Sequence, residues 1–121
     1  KDFSQIYDEA HSLANAIKQS EEFRQYEDAK NLLKTHPDVD KMIKDFQAKS
    51  VEIQAKQMSG EQMSEEEMQS IQQLYGIIAM DPTAGDYMQK ELRFSLMMKD
   101  VYEIIGEAIG QGDIFGGQKE E

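Results

Sequence analysis

The 121-residue chain carries 13 basic and 24 acidic side chains, for a formal net charge of −11, and contains no cysteine. This length suits one domain, the acidic balance disfavours a nucleic-acid partner, which usually meets a basic surface, and the lack of cysteine excludes disulfides and thiolate chemistry. Because no run of about 18 apolar residues is present and no N-terminal segment reads as a signal peptide, we expect a cytoplasmic protein without a membrane span.

The first two predicted elements are amphipathic helices separated by a serine. The first covers residues 3–19, and its apolar side chains recur at helical spacing on one stripe formed by Ile6, Ala10, Leu13 and Ile17. Ser20 can cap the next helix, and Glu21 and Glu22 suit the positive end of its dipole. This second helix extends to about Lys34 and is expected to bury Phe23, Tyr26, Ala29 and Leu33.

A third, central helix is predicted over residues 37–58. Pro37 suits the first helical position, where its missing N–H costs no hydrogen bond. Ser59 and Gly60 provide a stop signal, since glycine readily takes the left-handed conformation that ends helices. One face of this helix carries Val39, Ile43, Phe46 and Ile53.

The fourth and fifth helices are also indicated by their first residues. Ser64 and Glu67 have the spacing of a capping box, and the helix that follows carries Met68, Ile71, Tyr75 and Ile78. Asp81-Pro82 starts a last helix that runs to about Ile109. Its apolar residues form a heptad-like seam of Tyr87, Phe94, Met98, Val101, Ile105 and Ala108. A different face carries Leu92, Leu96, Met97 and Ile104.

These elements predict an all-α fold, an elongated antiparallel helical hairpin or bundle of four to five helices. The last helix would span roughly 42 Å, more than the roughly 35 Å diameter of a compact chain of this size. Such a chain would gain from a second copy that covers its exposed stripe. We therefore predict a homodimer formed through the long helices, with an interface of Tyr87, Phe94, Met98, Val101, Ile105, Ala108, Ile43, Phe46 and Ile53.

Residues 1–109 are predicted to form a single helical domain, followed by a flexible, acidic, glycine-rich tail over residues 110–121. The only apolar side chains of this tail, Ile114 and Phe115, could dock on the body or contact another protein. Residues 61–121 carry 4 basic and 13 acidic groups, net −9. This half of the chain is expected to face a basic protein partner, because complementary charge speeds and orients encounter.

Two alternatives give the chain a chemical or nucleic-acid role. Asp8 and His11 lie on adjacent helical turns, as in carboxylate di-iron bundles, which suggests a metal-dependent hydrolase, although the second motif that such sites need is missing. Weak RNA binding could use the lysines of the central helix, Lys41, Lys44, Lys49 and Lys56. Acidic residues are interspersed among them, which is typical of an ordinary solvated face.

Several short motifs together resemble a known family. They are Ile6-Tyr7-Asp8-Glu9-Ala10 with Leu13-Ala14 and Ile17, Ser20-Glu21-Glu22-Phe23 with Tyr26, Pro37-x-x-x-x-Met42-Ile43-x-x-Phe46-Gln47, and Gln57-Met58-Ser59-Gly60-Glu61. Over about residues 3–110 the chain resembles the YlbF/YmcA family of small helical proteins from Gram-positive bacteria, including its YheA-like members. The resemblance implies a dimerising all-α protein of the cytoplasm. It also implies non-enzymatic regulation, in complexes that affect competence, biofilm formation, sporulation and ribonuclease-dependent mRNA processing.

One family feature is missing from this chain. Some members carry a cysteine-containing C-terminal segment associated with iron–sulfur binding, whereas residues 110–121 contain no cysteine. We therefore expect no cofactor and no catalytic or metal-binding residue. The leading hypothesis is a non-enzymatic adaptor or regulator that acts through homodimerisation and through other regulatory proteins in a complex, with no membrane partner and no small-molecule substrate.

Overall fold

The computed structural model of the chain describes residues 2–110, which form five α-helices and no strand. The helices are α1 (Ser4–Lys18), α2 (Glu21–Leu33), α3 (Pro37–Met58), α4 (Glu65–Met80) and α5 (Pro82–Ile109). The predicted all-α class and helix number are confirmed. The predicted tail, including Ile114 and Phe115, lies outside the described residues except for Gly110.

Local hydrogen bonds explain where the helices begin. Ser20 Oγ accepts a hydrogen bond from the Phe23 amide at 3.1 Å, at the start of α2. At α4 the capping box is complete: the Glu67 amide donates to Ser64 Oγ at 3.1 Å, and the Ser64 amide donates to Glu67 Oε1 at 3.0 Å. Asp81 caps α5 by accepting from the Ala84 amide at 2.9 Å. Each cap satisfies an amide that the helix itself cannot pair.

The backbone divides into two compact units. The first unit comprises the residues up to Tyr26 and those from Lys90 onward, and the second comprises Glu27–Gln89. This division does not test the prediction of a single domain over residues 1–109, which stays a prediction. None of the described helices is long and apolar enough to cross a membrane.

The second unit contains the buried core. The six buried apolar side chains of the described residues all belong to it, namely Ala29, Leu33, Ile43, Ile78, Ala84 and Tyr87. Within this unit α3 and α4 pack against each other. Phe46 lies 5.8 Å from Tyr75 between ring centroids, and Lys56 pairs with Glu67 nearer the turn. Residues farther from the turn on one helix therefore meet residues farther from it on the other, which makes α3 and α4 an antiparallel hairpin.

Within the first unit, an aromatic cluster connects α2 and α5. The Phe94 ring stacks on Tyr26 with centroids 5.2 Å apart and an interplanar angle of 9°, and it lies 5.3 Å from Phe23. Beside this cluster, Arg93 of α5 lies 3.7 Å from the Glu22 carboxylate and donates to Gln25 Oε1 at 3.4 Å. Offset and tilted ring pairs of this kind stabilise packing beyond the area that they bury.

Candidate interaction surface

One exposed apolar stripe belongs to α1, which has no buried residue. Its large side chains are open to solvent: Phe3 is 51% exposed, Ile6 66%, Tyr7 59% and Leu13 38%. Only Ile17 of the predicted stripe is half-buried. The apolar stripe of α1 is therefore available to a partner.

Residue spacing on α1 is that of a helix-pairing seam. Phe3, Ile6, Ala10, Leu13 and Ile17 are separated by steps of 3, 4, 3 and 4 residues. A heptad repeat of this kind presents a continuous apolar ridge to a second helix. An isolated helix of 15 residues is marginal in water, because most helix stability in proteins comes from packing an amphipathic face. The seam therefore needs a partner surface if α1 is to be well ordered.

The predicted interface on α5 is divided between internal and exposed positions. Tyr87 is only 7% exposed within the second unit, and Phe94 belongs to the aromatic cluster of the first unit. Met98 and Val101 are half-buried, whereas Ile105 and Ala108 are exposed. The C-terminal part of the seam is thus the part that a partner could reach.

A second face of α5 is also open. Leu92, Leu96 and Ile104, assigned above to a separate stripe, are all more than half exposed. Tyr102 and Ile109 of the same helix are exposed as well. Contiguous apolar patches on a protein surface commonly mark interaction sites, so the end of α5 joins α1 as a candidate for partner binding.

The three residues predicted for the interface on α3 are all at least partly buried. Ile43 is 1% exposed, Phe46 contacts the Tyr75 ring, and Ile53 is half-buried. Of the three, Phe46 packs directly on α4. A role of these three side chains in dimerisation stays a prediction.

The residues proposed for metal chemistry do not form a cluster. Asp8 and His11 are both exposed on α1. Within residues 2–110 no three histidine or acidic side chains are grouped so that they could hold a metal ion. The pair therefore offers at most two ligands open to water, fewer than the protein ligands of a typical catalytic metal site.

Most of the central-helix lysines are paired with acidic groups. Lys41 lies 3.2 Å from Asp45 and Lys44 lies 3.1 Å from Asp40, both one helical turn apart. Lys56 pairs across the hairpin with Glu67. Hydrogen bonding from Lys56 holds the pKa of the Glu67 carboxyl below its usual value, and the same bond raises the pKa of Lys56. Lysines engaged in this way are less available to a nucleic-acid backbone, whose affinity depends on releasing counterions from its phosphates.

Comparison with known proteins gives a consistent family match. A family model described as "Control of competence regulator ComK, YlbF/YmcA" matches residues 6–110. A UPF0342 protein of Desulfitobacterium hafniense is 42% identical over 104 residues, which cover 86% of this chain and 84% of that protein. A UPF0342 protein of Symbiobacterium thermophilum is 36% identical over 104 residues, covering 86% and 93% of the two chains.

A solved structure shares the fold. The protein of unknown function (DUF964) from Bacillus stearothermophilus superimposes with a TM-score of 0.75, covering 87% of this chain and 92% of that chain. Its sequence identity is 20%. At that identity the similarity supports the helical arrangement and carries no information on activity.

Proposed function

This chain belongs to the YlbF/YmcA family, and on that premise we propose that it is a non-enzymatic cytoplasmic regulator that acts by binding proteins. The observation that carries the proposal is the exposed heptad seam of α1, since a surface of this kind serves helix pairing. Regulation of competence, biofilm formation, sporulation or mRNA processing is the biological setting that the family suggests. No residue of the chain is assigned a catalytic role.

We infer that one partner of the α1 seam is a second copy of the chain. Four large side chains of about 200 Å² each, exposed between 38% and 66%, present roughly 400–500 Å² of apolar surface per copy. A symmetric pair would bury at most about 850 Å² from these four side chains, which is less than the roughly 1,000 Å² that a specific interface should exceed. The exposed end of α5, with Ile105 and Ala108, supplies further area.

Symmetry favours the same assignment. In a two-fold dimer the same patch of each copy meets its counterpart, so the surface must complement itself. A heptad seam satisfies this requirement, because the knobs of one helix fit the holes of an identical one. The C-terminal part of the α5 seam has the same kind of spacing, and Met98, Val101, Ile105 and Ala108 belong to the proposed interface.

The dimer is tested by placing a charge in the α1 seam. Ile6→Asp should raise the dissociation constant of the dimer at least about 100-fold, because the carboxylate would lose its hydration without gaining a partner. Val51→Asp is the matched control, since Val51 is also about two-thirds exposed but lies on α3. Sedimentation velocity across micromolar concentrations measures both variants, with circular dichroism to verify helix content. A wild-type monomer at these concentrations, or an Ile6→Asp dimer as tight as wild type, contradicts the assignment.

The wider partner is proposed to be a basic surface of another regulatory protein. Residues 61–121 carry a net charge of −9, and complementary charge accelerates and orients association. Affinity purification of the tagged protein from its host should therefore recover partners whose retention falls as salt is raised. The same experiment with Ile6→Asp distinguishes proteins that require the dimer from those that bind a single chain. Recovery of no protein at low salt would refute a role in complexes.

A further inference from the structure

The second unit contains a cavity that the family assignment does not explain. Its volume is about 300 Å³, and it lies among the end of α2, the first half of α3 and the start of α5. Small-molecule sites usually begin at about this volume. Every lining residue falls within Glu27–Gln89, so the cavity is a property of one compact unit.

The floor of the cavity is formed by buried apolar side chains. Leu33, Ile43 and Tyr87 line it, and each is at most 7% exposed. They come from three helices, and they make up half of the buried apolar side chains of the described residues. A site whose walls are fixed by core packing loses little entropy when a ligand binds.

The rim of the cavity is mainly basic, whereas the molecule as a whole is acidic. Across the chain acidic side chains outnumber basic ones by 24 to 13, whereas the cavity is lined by three lysines and one aspartate, with Gln47 as a neutral hydrogen-bonding group. The lysines are Lys30, Lys34 and Lys44. The opening is therefore a local cationic site in an acidic protein, and a concave site of one sign concentrates ions of the opposite sign.

The three lysine ammonium groups differ in their ion pairing. Lys44 pairs with Asp40 at 3.1 Å, and Lys30 pairs with Glu27 at 3.5 Å. Lys34 makes no ion pair with any residue in the described range 2–110. An available ammonium next to an apolar floor combines the two features that recognise an amphiphilic anion.

We propose that this cavity binds a small anion in which one carboxylate or phosphate is attached to a compact apolar body. The apolar body rests on Leu33, Ile43 and Tyr87, and the anionic group contacts Lys34 with support from Lys44. A single aromatic ring or branched alkyl group with one anionic group needs only part of the available volume. The alternative is that the lysines merely lay their alkyl stems over the apolar floor, and the two cases respond differently to ligand.

Phenyl phosphate is the test ligand. Inorganic phosphate and phenol are the controls, because they present its anionic group and its apolar ring separately. In ¹⁵N-edited NMR titrations, phenyl phosphate should bind at least tenfold more tightly than either half and should shift the amides of Leu33, Ile43 and Tyr87. Benzoate in a parallel titration identifies which anionic group is preferred. Affinity should fall as ionic strength rises, because screening weakens contacts between exposed charges.

Lysine variants distinguish a site from general attraction. Lys34→Gln should weaken phenyl phosphate binding about five- to tenfold, through loss of one charge-assisted hydrogen bond. Lys41→Gln is the matched control, because Lys41 lies on α3 outside the cavity, pairs with Asp45 and is largely exposed. Equal weakening by both variants would overturn the proposal. Equal affinity for phenyl phosphate and inorganic phosphate, or no shift at the three floor residues, would do the same.

Discussion

The structure assigns opposite environments to two adjacent isoleucines of α4, which provides a sharp test of its packing. Ile78 is 0% exposed in the core of the second unit, and Ile77 is 56% exposed. Ile78→Ala removes buried methyl groups and leaves a cavity, for which isoleucine-to-alanine changes cost about 2–5 kcal/mol. Because Ile78 is completely enclosed, we expect about 3–4 kcal/mol, a large part of the roughly 5–15 kcal/mol that a folded domain has available.

Ile77→Ala is the matched control, with the same chemistry on the same helix turn. It should cost less than about 1 kcal/mol, because its side chain is already largely in water. Urea denaturation followed by circular dichroism gives the free energy of unfolding for both variants. The expected difference corresponds to a melting temperature about 10–20 °C lower for Ile78→Ala.

Equal costs for the two variants, or a larger cost for Ile77→Ala, would refute the assigned register of α4. A cost for Ile77→Ala that grows with protein concentration would instead place Ile77 in an interface between copies, since the stability of a dimer depends on the concentration of its subunits.

Two further predictions concern the turn between α3 and α4. The hydrogen bond from Lys56 lowers the pKa of the Glu67 carboxyl. Its contribution to the free energy of unfolding is therefore complete above the unfolded pKa near 4.5 and is lost as pH falls through the lower, folded pKa. In Glu67→Gln the free energy of unfolding should fall less steeply with decreasing pH in this acidic range. Gly60 has φ of +87°, so Gly60→Ala should destabilise the protein by about 1 kcal/mol. Gly76→Ala, at an open helical position, should instead stabilise the protein by about 0.5–1 kcal/mol. Thermal melts of the two glycine variants test whether the backbone conformation decides if alanine stabilises or destabilises the protein.

The exposure of the candidate interface residues was predictable only in part. The heptad spacing on α5 predicted an apolar seam for dimerisation, which stays a prediction, and two of its residues, Tyr87 and Phe94, are covered by their own chain. The α1 stripe was visible in the spacing of Ile6, Ala10 and Leu13 as well. Periodicity identifies which face of a helix is apolar, and it carries no information about whether that face meets the same chain or another.

The cavity shows the same limit more strongly. Lys30, Lys34 and Lys44 do not stand out in the sequence, where each has an acidic residue within four positions. Their significance depends on Tyr87, which lies more than forty residues farther along the chain and closes the floor beside Leu33 and Ile43. No local pattern relates residues at that separation.

Sequence by itself determined the five helices and nearly all their limits, because caps and helical periodicity depend on residues three or four positions apart. Ser20 with Phe23, Ser64 with Glu67, and Asp81 with Ala84 are contacts of this kind. Only the tertiary structure decided which apolar faces are covered. Ile78 is buried and Ile77 is not, and the Phe94 ring packs against Phe23 and Tyr26. No residue of α1 is buried. Burial depends on which helices meet, and that is settled by the packing of the whole chain and not by any short segment of it.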